Sequence, residues 1–148
     1  MPSRLIRLIG LIPHVPVLWS KRNRRRRKLF DARFYLSKYP DVAAAQVDPW
    51  LHYLKHGAAE RRKPNALFEP NYYLTLCPDA RSANADPLTH FVENQSGAWI
   101  NPHVLFDCTA YVNANRSLRE RPANPLIHYL RSSPSDNSCE EGAYFGAS

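Results

Sequence analysis

From Leu29 onward the apolar positions return on a fixed 38-residue period, and the predicted elements follow from it. Leu29-Phe30-Asp31 recurs as Leu67-Phe68-Glu69 and again as Leu105-Phe106-Asp107. Tyr35 recurs as Tyr73 and Tyr111, and Asp48-Pro49 as Asp86-Pro87 and Asn124-Pro125. His52-Tyr53-Leu54 becomes His90-Phe91-Val92 and then His128-Tyr129-Leu130. A constant period of this size is the signature of stacked units, none of which can bury its apolar face alone. The expected fold is all-α: an array of three ~38-residue helical repeats over 29–131. A short amphipathic and polybasic segment (1–28) precedes it, and a tail expected to be disordered (132–148) follows.

Each unit reads as two main helices with a short helical piece between them. The first opens at Asp31, Glu69 or Asp107, where an acidic residue caps free backbone N–H groups and favours the positive end of the helix dipole. Phe30 then precedes the cap and Tyr35 lies four residues into the helix, which is a hydrophobic staple. Phe68/Tyr73 and Phe106/Tyr111 repeat it. Pro40-Asp41 and Pro78-Asp79 break the helix and restart a short one. The last helix opens at Asp48, Asp86 or Asn124, each a cap followed by proline at the first helical position. Gly57 is expected to terminate the first copy. The third unit is the most degraded, with Arg116-Ser117 in place of Pro-Asp, as befits the end of an array.

The N-terminal segment has a different pattern. Leu5, Ile6, Leu8, Ile9 and Ile12 share one helical face, with Arg4 and Arg7 near the opposite one, and Pro13 and Pro16 end any helix there. Trp19 suits a membrane–water interface. The apolar stretch 5–19 is shorter than the ~20 residues that span a bilayer, and it contains Arg7 and two prolines. Lys21, Arg22, Arg24, Arg25, Arg26, Arg27 and Lys28 follow at once, with Asn23 as the single interruption. A signal peptide would need an A-x-A-like cleavage site, and none follows; the basic run favours retention on the cytoplasmic side. An apolar face beside a basic cluster makes a two-signal anchor for an anionic membrane surface. The expected location is therefore cytoplasmic, peripheral on the inner face of the plasma membrane. Two rivals share the same residues: a solvated linker, and a phosphate-neutralising nucleic-acid contact. The nucleic-acid reading is the less favoured, because no basic stripe or stacking platform continues into the repeats.

Charge confirms that division of labour. The formal net charge is +7, but residues 1–28 hold nine of the 20 basic side chains and none of the 13 acidic ones. The rest of the chain holds 11 basic and 13 acidic side chains and is close to neutral. Its three cysteines, Cys77, Cys108 and Cys139, form no C-x-x-C pair, so neither a zinc site nor a disulfide framework is expected.

No residue pattern suggests catalysis, and the chain is expected not to be an enzyme. There is no Gly-rich phosphate loop, G-x-S-x-G elbow or H-E-x-x-H. His52, His90 and His128 tempt as metal ligands, but equivalent positions of stacked helical units form a ladder about 8–10 Å or more in pitch rather than a cluster. Each is expected instead to be buried and to bond a backbone carbonyl of the neighbouring unit. Asp41 and Asp79 follow proline at a helix start, which explains them without chemistry. No cofactor is expected.

The pattern F-D-x-x-x-Y-L-x-x-x-P-D-V-A-A-A…D-P-x-x-H-Y-L-x-x-G-x-x-E…P, best seen in Phe30–Pro64, resembles tandem repeats of bacterial surface-polysaccharide proteins. Those repeats often stand beside glycosyltransferase domains. The resemblance covers about 29–131, and what it implies is a non-catalytic interaction or scaffold module whose protein partner is a glycosyltransferase. The alternative it leaves is a remnant or fragment of a larger glycosyltransferase without its catalytic domain. The oligomeric state is not legible in the sequence.

Overall fold

The structure is a computed structural model, and it describes residues 20–83, 85–94 and 99–132. The fold is all-α: among the described residues the sole β-type pairing is an isolated bridge between His103 and Phe106. Helix α1 is Lys21–Arg27. Then come α2 (Ala32–Lys38), α3 (Pro40–Ala44) and α4 (Pro49–His52), the last running on into a wide turn at Tyr53–Gly57. Helices α5 (Pro70–Leu76), α6 (Pro78–Ser82) and α7 (Pro87–Glu93) follow, and then α8 (Cys108–Ala114), α9 (Arg116–Glu120) and α10 (Pro125–Ser132).

Local rules explain most of these boundaries. Asp31 Oδ1 accepts from Phe34 N–H at 2.9 Å, and Asp107 Oδ1 from Ala110 N–H at 2.9 Å. At the later helices Asp48 caps Leu51 at 2.7 Å, Asp86 caps Thr89 at 3.1 Å, and Asn124 caps Ile127 at 3.0 Å. Each removes one of the orphan N–H groups that a helix start exposes. Glu69 makes no such bond and pairs with Lys63 instead, while Pro70 needs no partner for its nitrogen. The short helix α9 forms although Arg116-Ser117 replaces Pro-Asp. Its anchor is Leu118, 3 % exposed, standing where Val42 and Ala80 are buried in α3 and α6.

The core is a set of aromatic triads. Phe30 lies 5.1 Å from Tyr35 and 5.5 Å from Tyr53, ring centre to ring centre, and Tyr35 meets Tyr53 edge-on at 90°. Phe68, Tyr73 and Phe91 make the same figure at 5.7 and 5.4 Å, with an 85° crossing. Phe106, Tyr111 and Tyr129 make it at 5.5 and 5.4 Å, with 83°. Tilted and edge-on contacts add to the burial that such large rings provide. Backbone bonds tie the stretches together: Asp31 N–H donates to Pro64 O, and Glu69 N–H to Pro102 O, both at 2.9 Å.

One expectation is corrected here. Gly57 does not cap a helix. It sits inside the wide turn, where Ala58 N–H reaches back to Tyr53 O at 2.9 Å, and the chain reverses at Arg61 with φ 55°. Gly57 is required because a Cβ there would collide with the Tyr35 hydroxyl and lie 3.0 Å from Tyr53 Cδ2. Helix α1 lies against α7, and Asn23 and Arg26 on its inner side are 4 % and 8 % exposed. The segment 1–19 and the tail from residue 133, with Cys139, lie outside the described residues.

Candidate functional site

Helix α1 owes its place to its mixed faces. Ser20 caps it, its Oγ accepting from Asn23 N–H at 3.2 Å, and the four arginines of its last turn favour the negative end of the dipole. On the inner face Arg26 Nη2 pairs with Asp86 at 2.8 Å, Nη1 donates to Asn23 Oδ1 at 3.0 Å, and the guanidinium lies 5.8 Å from the Tyr53 ring centre. A charged group so deeply buried needs both a counter-ion and hydrogen bonds, and Arg26 has them. Arg26 is therefore withdrawn from the residues expected to touch a polyanion, because burial and Asp86 occupy it.

The outer face is different. Lys21, Arg22, Arg24, Arg25, Arg27 and Lys28 are exposed. Arg22 Nε donates to Glu93 at 2.6 Å, and Arg27 covers the Phe30 ring at 5.5 Å while donating to Phe30 O at 3.4 Å. Lys21, Arg24, Arg25 and Lys28 carry the remaining charge outward. Arg4, Arg7 and Trp19, expected to share this contact, lie outside the described residues. No helix among the described residues is long and apolar enough to cross a membrane.

The three histidines occupy one repeated position. Tyr35 Oη lies 3.1 Å from His52 Nδ1, Tyr73 Oη 2.8 Å from His90 Nδ1, and Tyr111 Oη 2.9 Å from His128 Nδ1. The partner is thus the tyrosine of the same stretch, not a backbone carbonyl of the next one, and the imidazoles are half-buried rather than buried. Burial pushes the Tyr35 and Tyr73 phenols well above their ordinary range, so both keep their proton at neutral pH. Burial, helped by the charge of Arg62, holds His52 below its usual 6.5. Among the described residues no group of three or more His, Cys, Asp or Glu side chains converges as a metal site would require.

Around the first pair, Arg62 forms a small charged clasp. It pairs with Asp41 at 2.8 Å and Glu60 at 2.5 Å and lies over the Tyr39 ring at 4.7 Å. The hydrogen bond from Arg62 is the main reason that the Asp41 carboxyl titrates below the ordinary carboxylate range. Cys77 and Cys108 are buried, which raises both thiols, Cys108 to about 12, and leaves neither as a thiolate at neutral pH.

One apolar face stays open. Leu29 is fully buried and Leu67 half-buried, whereas Leu105 is 78 % and Val104 72 % exposed. They stand beside a shallow groove bounded by Leu67, Phe106, Tyr111 and Tyr129. Exposed neighbouring apolar side chains of this size are the ordinary material of protein–protein contact.

Sequence reasoning missed the docking of α1, the buried Asn65 and the role of Gly57. Asn65 donates to Leu29 O at 2.6 Å and accepts from Leu67 N–H at 2.7 Å. The signal for α1 was present in Ser20, a good cap, and in Asn23, the one uncharged residue of the basic run. Compared with family models, curated proteins and solved structures, the chain matches none.

Proposed function

We propose that the chain is a non-catalytic interaction module: an array of three ~38-residue helical repeats that sits on an anionic membrane surface and presents an apolar face to a protein partner. The observation that carries this reading is the two-sidedness of α1. Its inner side is fixed to the repeats through Arg26 and Asp86, and its outer side displays Lys21, Arg24, Arg25 and Lys28. A charge patch rigidly mounted on a folded body orients that body on a charged surface, which a loose linker does not. The array reading is supported by the aromatic triads and by the tyrosine–histidine bonds at matching positions. They also account for the histidines as struts, without chemistry.

The partner proposed is a glycosyltransferase of surface-polysaccharide synthesis, and the location is the inner face of the plasma membrane. The sequence resemblance supports the first, and the basic run the second. Val104 and Leu105 supply the apolar contact. The test is vesicle co-sedimentation of the parent beside an Arg24→Ser/Arg25→Ser variant. Equal sedimentation of both with acidic vesicles overturns the proposal.

A further inference from the structure

A second basic feature lies on the other side of α1, where the helix roofs a cavity of about 680 Å³ above α6 and α7. Its polar lining is Arg22, Arg26, Arg61, Arg81, Asp86, Thr89 and Glu93, and alanine and leucine side chains fill the rest. Both carboxylates are already matched, Glu93 by Arg22 at 2.6 Å and Asp86 by Arg26 at 2.8 Å. Arg61 and Arg81 are surplus, so the cavity carries two positive charges beyond its own acids. Arg61 is moreover held at φ 55°, a left-handed backbone that costs a non-glycine residue about 1 kcal/mol or more.

Two buried polar atoms at this place have no partner among the described residues: Arg26 Nε, a donor, and Asp86 Oδ1, an acceptor. Arg26 is more than nine-tenths buried. Both atoms are closed off from the open space of the cavity, so Arg26 and Asp86 serve to hold α1 in place and leave contact with a ligand to Arg61 and Arg81. A surplus of two charges matches a dianion, and guanidinium groups match phosphate oxygens in geometry. The volume exceeds that of a bare phosphate and lies within the range of small-molecule sites.

We infer that this cavity binds a phosphate ester, its phosphate on Arg61 and Arg81. This inference does not rest on the membrane contact of the outer face. The ester can be a free metabolite or the headgroup of a phospholipid, and two arms separate these sources.

In the first arm, glycerol 3-phosphate is titrated calorimetrically into the full chain at low salt. In the second, phosphatidylglycerol vesicles are co-sedimented with it. Arg61→Gln/Arg81→Gln is compared with Arg24→Gln/Arg25→Gln, and circular dichroism verifies that both remain helical. The expected result is saturable one-to-one binding of glycerol 3-phosphate that Arg61→Gln/Arg81→Gln weakens at least tenfold and Arg24→Gln/Arg25→Gln leaves within twofold. Such a loss in the soluble arm assigns the site to a free ester; a loss confined to the vesicle arm, and persisting at salt that screens the outer face, assigns it to a lipid headgroup. Absence of saturable binding in both arms overturns the inference. So does equal weakening of glycerol 3-phosphate binding by the two variants, since charge alone would then explain it.

Discussion

Tyr73 Oη lies 2.8 Å from His90 Nδ1, and this bond joins the first helix of its stretch to the last, α5 to α7. The counterparts of the same two residues are joined at 3.1 Å and 2.9 Å on either side of it. A hydrogen bond of this kind contributes about 0.5–1.5 kcal/mol net. Tyr73→Phe is therefore expected to lower stability by about 1 kcal/mol in urea unfolding, as is His90→Gln. The double variant should lose less than the sum, with a coupling energy of about 1 kcal/mol. Strict additivity would mean that the two residues do not act as a pair.

Gly57 makes room for a tyrosine hydroxyl rather than for a turn. Gly57→Ala drives a methyl group into Tyr35 Oη, and overpacking of this sort costs about 1–3 kcal/mol. Tyr35→Phe removes the atom struck. Gly57→Ala should thus be markedly less harmful in a Tyr35→Phe background, as read from thermal or urea midpoints. A glycine that served as a helix cap would show the same penalty in both backgrounds.

Arg26 and Arg25 are neighbours with opposite roles. Arg26→Ala leaves Asp86 without its counter-ion in a largely buried place, and breaking such a pair costs about 3 kcal/mol. Arg25 is exposed, and Arg25→Ala should stay within about 0.5 kcal/mol of the parent. Equal and small effects of the two would detach α1 from α7.

The sequence made the local rules legible and hid the distant ones. The caps at Asp31, Asp48, Asp86 and Asp107, and the Phe30/Tyr35 staple with its copies, depend on residues a few positions apart, so reading along the chain finds them. Arg26 and Asp86 are far apart in sequence, and a run of seven cations looks like a solvated strand of charge until its partner is seen. Gly57 fits the local rule for a helix end, but its cause is Tyr35, packed against it from another helix. The histidine partner was half legible. Tyr35 and His52 recur together at constant spacing in all three stretches, but spacing alone does not tell a bond within a unit from one to a neighbour.

Acidification should weaken the fold through His52. Its imidazole is held below 6.5, so the unfolded chain takes up a proton that the folded chain resists. The corresponding stability is complete above about pH 6.5 and declines as the pH falls through that value toward the folded pKa. Asp41, also shifted down from 3.8, adds a further loss at lower pH. Urea midpoints are expected to drop between pH 7 and 5, and His52→Gln should flatten that drop. Identical pH dependence in parent and variant would remove His52 as its source.

Vesicle co-sedimentation tests the membrane-mounted module most directly. The parent should sediment with phosphatidylglycerol vesicles and not with phosphatidylcholine, and rising salt should release much of it as charge is screened. At about 1 kcal/mol for each basic residue near an anionic surface, Arg24→Ser/Arg25→Ser should weaken binding about 30-fold. Its helices should remain folded, because neither side chain is buried. Ile6→Asp/Ile9→Asp should remove the part that salt leaves behind. If Arg24→Ser/Arg25→Ser sediments with acidic vesicles as fully as the parent does, the outer face of α1 does not hold the protein on a membrane.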